Sequence, residues 1–109
     1  MELPAFARHR SRYLDDAGFA RLQATLMGAP IAGEVVAGSG GLRKLRFGDA
    51  RRGKGRRGGL RVVYYWWEGG NQFWLFTLYD KDEASDLSAE QLEVLRSKIK
   101  AELAARRKR

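Results

Sequence analysis

Apolar positions recur at helical spacing toward both ends of the chain and fall into strand-like runs between them. Pro4 suits a first helical turn, and Phe6, Tyr13 and Leu14 give a short amphipathic helix its buried side, from about Ala5 to Leu14. Asp15 and Asp16 are N-cap acids for a second helix, in which Phe19, Leu22 and Leu26 recur at i, i+3 and i+7 before Gly28 and Pro30 end it. From Ile31 to Gly41 the pattern lapses into a glycine-containing connection that closes on Gly38-Ser39-Gly40-Gly41. Leu42 to Phe47 then alternates, with Arg43, Leu45 and Phe47 on one side and Lys44 and Arg46 on the other. Leu60 to Trp67 is the clearest strand, since Val62 through Trp67 are all β-branched or aromatic. Glu68-Gly69-Gly70-Asn71 makes a hairpin loop from which Gln72 to Tyr79 returns antiparallel. Ser88 with Gln91 three residues later fits a capping box, and Leu92, Leu95, Ile99 and Leu103 form the apolar stripe of a final helix.

This order predicts an α+β fold: N-terminal helices packed on an antiparallel sheet of three or four strands, with a C-terminal helix. At 109 residues the chain has the size of one domain, 1–109. Most of the aromatic cluster from Tyr64 to Phe76 belongs in the core of a sheet covered by helices, with one or two rings left to meet a ligand.

Charge changes the picture more than any other compositional feature. Between Arg43 and Arg61 lie Arg43, Lys44, Arg46, Arg51, Arg52, Lys54, Arg56, Arg57 and Arg61 against Asp49 alone, so this segment carries the +8 of the whole chain. An excess so localised suits a polyanion, because releasing counterions from neutralised phosphates is a large, sequence-independent source of binding free energy. A solvated loop is the alternative. Residues 48–59 form a glycine-rich basic loop with no large apolar anchor, which predicts mobility unless bound. The tail 106–109 is basic throughout and reads as a complement to the helix dipole followed by a frayed, solvated end.

Absences exclude several chemistries. Without cysteine there are no disulfides, thiol nucleophiles or thiolate metal sites. His9, the single histidine, leaves little for metal binding and reads as a solvated or structural helix residue. No apolar run is long enough to span a bilayer, and the start lacks an export pattern, so no membrane partner and cytoplasmic residence are expected.

Three segments together resemble the RelE/ParE superfamily of bacterial toxin-antitoxin toxins, and within it the RelE/HigB-like mRNA interferases. They are Gly40-Gly41-Leu42-Arg43-Lys44-Leu45-Arg46-Phe47 before a Gly/Arg/Lys loop, Gly58-Gly59-Leu60-Arg61-Val62-Val63-Tyr64-Tyr65, and Leu75-Phe76-Thr77-Leu78-Tyr79-Asp80-Lys81-Asp82-Glu83. The resemblance continues through the final helix and covers nearly the whole chain. It implies a toxin that enters the ribosomal A site and cuts translated mRNA, held in check by a cognate antitoxin and using no metal or organic cofactor.

Cutting RNA by attack of the 2′-hydroxyl on the adjacent phosphate needs a base, charge stabilisation at phosphorus and a proton for the leaving 5′-oxygen. Lysines and arginines can supply all three: a lysine lowered in pKa by like-charged neighbours exchanges protons, and an arginine grips phosphate as a fork. The resemblance maps paired basic residues onto Lys44, the candidate proton-transfer group beside Arg43 and Arg46, and onto Arg46, which would hold the phosphate. It makes Arg61 the transition-state stabiliser and puts Lys81 on the leaving-group side or on substrate grip. Arg43, Arg51, Arg52, Lys54, Arg56, Arg57 and Tyr79 are the candidate RNA-binding residues. The chain departs from the RelE pattern at Leu87, where a substrate-contacting tyrosine is expected and for which Tyr79 is the candidate substitute. Duller roles exist for each: Lys44 and Arg46 as charges guarding an edge strand, Arg61 in an ion pair with Asp80 or Glu83, Lys81 as loop charge. A ParE-like inhibitor of DNA gyrase that cuts nothing, and an inactive RNA-binding relative, are the alternative functions.

Overall fold

The computed structural model describes residues 1–48, 59–81 and 87–107. Most of the basic loop, with Arg51, Arg52, Lys54, Arg56 and Arg57, lies outside the described residues, as do Lys108 and Arg109. The elements run α1 (Pro4–Tyr13), α2 (Asp16–Gly28), β1 (Glu34–Val35), β2 (Arg43–Phe47), β3 (Leu60–Trp67), a 3-10 turn (Glu68–Gly70), β4 (Gln72–Asp80) and α3 (Ala89–Arg107). The fold is α+β, with a four-stranded antiparallel sheet in the order β1-β2-β3-β4.

Local chemistry sets the element ends. Pro4 opens α1, and the Asp15 carboxylate accepts the Gly18 N–H at 2.7 Å to start α2. Ahead of α3, Ser88 N–H donates to Gln91 Oε1 at 2.8 Å and Gln91 N–H to Ser88 Oγ at 3.1 Å, a reciprocal capping box. Asn71 takes the left-handed conformation, φ 51°, that lets the chain turn from β3 into β4.

The sheet buries both faces. On one side Phe6, Tyr13, Leu14, Leu22 and Leu26 of the N-terminal helices meet Leu60, Val62, Tyr64, Leu75 and Leu78. On the other, Leu95 and Ile99 of α3 meet Val63, Trp74 and Phe76, together with Leu3 and Leu42. Full burial of a large apolar side chain such as Phe6 or Trp74 contributes ~1.5–3 kcal/mol. Burial on both faces along Val62–Tyr64 explains why β3 past Arg61 reads as an apolar run rather than an alternation.

Two features depart from the sequence pattern. The connection Ile31–Gly41 contains β1, which pairs Glu34 with Lys44 and Val35 with Arg43; at two residues it is too short to declare a period. The expected solvated tail is helix through Arg107, and the Arg106 guanidinium carbon sits 4.7 Å from the Trp67 ring centre and 4.9 Å from that of Trp74. The π faces of those indoles hold the cation, an attraction that charge patterning alone does not reveal.

A register shift between Val63 and Tyr64 sets up the functional end of the sheet. Val63 pairs with Thr77 but Tyr64 with Leu75, so Phe76 is the extra residue of a β-bulge. Beyond it Arg61 stands opposite Tyr79; unbroken pairing from the hairpin would have put Leu78 there.

Candidate functional site

Strand alternation turns Lys44 and Arg46 to one face of β2, and antiparallel register then lines up their neighbours. One row across the sheet is Glu34, Lys44, Val63, Thr77; the next is Arg46, Arg61, Tyr79. Neighbours within such a row have Cβ atoms ~4.5–5.5 Å apart. At this end of the sheet an open cleft of about 520 Å³ is lined by Ala32, Glu34, Lys44, Leu45, Arg46, Arg61 and Lys81.

The four residues singled out for chemistry, Lys44, Arg46, Arg61 and Lys81, thus meet in one cleft. Lys44 is half-buried, Arg46 and Lys81 are exposed, and Arg61 retains 9% of its surface. Arg61 Nη1 donates to the carbonyls of Gly59 and Leu60, both at 3.4 Å, long contacts that orient the guanidinium while engaging it weakly. Arg61 and Asp80 are both buried, so a pairing between them would lie beneath the surface, and Glu83 lies outside the described residues. Arg46 directly opposite Arg61 is an unfavourable cross-strand pair for the sheet, and an anion seated between them removes the repulsion.

Arg43 points to the other face. Its Nη1 donates to Gly33 O at 2.8 Å and Ile31 O at 3.3 Å, so it holds the chain that leads into β1. Tyr64 does the same from β3: its hydroxyl donates to Pro30 O at 2.8 Å and accepts the Gly33 N–H at 2.9 Å. Burial pushes the Tyr64 phenol pKa up, opposed by the Gly33 hydrogen bond and the Arg43 charge. Both backbone groups of Gly33 are therefore held, and a Cβ there would come within 2.9 Å of the Tyr64 ring and 3.1 Å of the Lys44 backbone. Only glycine lets β1 approach this closely.

Tyr79 neighbours Arg61 but opens onto a second, smaller cleft of about 200 Å³ with His9, Arg12, Thr77 and Gln91. Leu87 lines the same small cleft and not the cationic one. Glu34 is the cleft residue that sequence reading missed. Its signal was faint: the β-branched pair Val35-Val36 after Gly33-Glu34 is the only hint of a strand in that connection.

Among the described residues no three His, Cys, Asp or Glu side chains cluster as a metal site. No helix among them is long and apolar enough to cross a membrane. The class defined by fold and site is a small α+β domain with a cationic cleft across the end of its sheet. No protein-family model matches the chain.

Proposed function

We propose that this protein is a ribosome-dependent endoribonuclease, the toxin of a toxin-antitoxin pair related to the RelE/HigB-like mRNA interferases. The convergence of Lys44, Arg46, Arg61 and Lys81 on one open cleft, with Arg46 facing Arg61 across the strands, is the observation that carries the reading. Such a cleft suits a phosphodiester: the two guanidiniums grip its non-bridging oxygens and stabilise the charge that builds at phosphorus, Lys44 adds charge or exchanges a proton beside them, and Lys81 serves the leaving-group side. Tyr79, next to Arg61 in the sheet, opens onto the smaller cleft, where its ring can stack on a flanking base. The basic loop residues Arg51, Arg52, Lys54, Arg56 and Arg57 would grip ribosomal or messenger phosphates, and Arg43, engaged with two carbonyls, supports the site instead. The proposal carries with it a cytoplasmic location, where ribosomes translate, and an antitoxin partner that restrains the enzyme.

Adding the purified protein to a translating cell-free extract and mapping mRNA 5′ ends by primer extension tests this. Cuts in phase with codons that vanish without ribosomes are expected, and Arg61→Ala should slow them ~10²–10³-fold, the scale for removing one oriented transition-state donor. Intact message together with inhibited DNA supercoiling would instead favour the gyrase-inhibitor class.

A further inference from the structure

We propose that Glu34 is the general base of the cleft. The proposal rests on the ribonuclease reading above and assigns a role within it. An ammonium or guanidinium donates hydrogen bonds and accepts none, and alanine and leucine side chains carry no polar atoms. Among the described residues that line the cleft, Glu34 alone brings a carboxylate able to accept the 2′-hydroxyl proton.

Its position suits that task. Glu34 lies on β1 opposite Lys44 and shares its face, so the cleft reads across the sheet as carboxylate on β1, Lys44 and Arg46 on β2, Arg61 on β3, and Lys81 just past β4. Displacement at phosphorus needs the attacking and leaving oxygens roughly in line on opposite sides. A phosphate seated over Arg46 and Arg61 has Glu34 on one flank and Lys81 on the other. The Glu34 side chain is exposed to an incoming ligand, yet the backbone before it is fixed twice, by Tyr64 on Gly33 N–H and by Arg43 on Gly33 O. Such second-layer anchoring is what a proton-transfer group needs to keep its geometry.

In the step itself the Glu34 carboxylate takes the proton of the 2′-hydroxyl, whose oxygen bonds to phosphorus. The bond from phosphorus to the 5′-oxygen breaks, its electron pair stays on that oxygen, and the Lys81 ammonium protonates it. The products are a 2′,3′-cyclic phosphate and a 5′-hydroxyl. Glu34 then holds one extra proton and Lys81 lacks one, and exchange with water restores both.

Single-turnover cleavage on programmed ribosomes, at saturating protein, separates this role from a structural one. Glu34→Gln should cut at least ~100-fold more slowly, the lower end of a general-base contribution, while binding ribosomes as tightly as the wild type or more so. Glu34→Asp should keep part of the rate, and Glu34→Ala should regain activity as formate is added. Matched thermal melts show that the variants are folded. An active wild type with an equally fast Glu34→Gln overturns the assignment and leaves Glu34 a counter-charge; a slow Glu34→Gln whose alanine counterpart formate does not rescue overturns it as well. A wild type that cuts nothing brings down the ribonuclease reading itself, a result distinct from either.

Discussion

Tyr64 shows how one side chain serves both core and site. Its ring is fully buried against the N-terminal helices, while its hydroxyl ties Pro30 and Gly33 to the sheet and so fixes the approach to β1. Because burial raises the phenol pKa, the folded state holds this proton more tightly than the unfolded chain does. That contribution is complete below the ordinary tyrosine value of ~10 and is lost as pH rises through the higher folded value. Denaturant titrations across the alkaline range should therefore show stability falling in the wild type. Tyr64→Phe should lack this decline and should cost about 1–3 kcal/mol near neutrality, where it leaves a buried Gly33 N–H unpaired. None of this was legible in the sequence, where Tyr64 is one of several adjacent aromatics and Arg43 one of several basic residues. Which of them turns inward to hold a loop depends on partners distant in sequence, and Gly33 lies 31 residues before Tyr64.

At the scale of elements, the turn from β1 to β2 sets where Lys44 and Arg46 stand. Ser39, fully buried, donates to Val36 O and accepts the Leu42 N–H at 3.0 Å, and Gly38, Gly40 and Gly41 take positive φ around it. Ser39→Ala leaves the Leu42 N–H without its acceptor. It should destabilise the protein by about 1–3 kcal/mol, seen as a lower melting temperature in calorimetry. Helix ends and the central hairpin were readable beforehand because their signals are local: an acid at Asp15, a capping box at Ser88 and Gln91, and a run of β-branched and aromatic residues from Val62. Strand β1 was not, since two residues paired to a distant strand carry no periodicity of their own. The facing of Lys44 and Arg46 was readable from alternation, whereas their meeting with Lys81 depends on the register of three strands.

For the whole molecule, the cationic cleft sits at one end of a sheet that is covered on both faces, and the strand register keeps Arg46 opposite Arg61. Concentrated like charge opposes folding until an anion arrives. Inorganic phosphate should raise the melting temperature of the wild type at constant ionic strength. Arg46→Thr should stabilise the free protein by ~0.2–1 kcal/mol, remove much of the phosphate effect and suppress cleavage, as scanning calorimetry and the primer-extension assay would record. The bulged residue Phe76 has a consequence for anyone comparing this chain with others. It takes up one residue of β4, so a related strand lacking it would pair regularly and still bring its counterpart of Tyr79 to the arginine, whereas a strand of equal length paired without the bulge would present Leu78 there and turn Tyr79 toward the N-terminal helices. Between two such chains, a gap at this single position would leave the row beside the arginine intact, while an ungapped chain that paired straight through would set an aliphatic side chain there in place of the aromatic one.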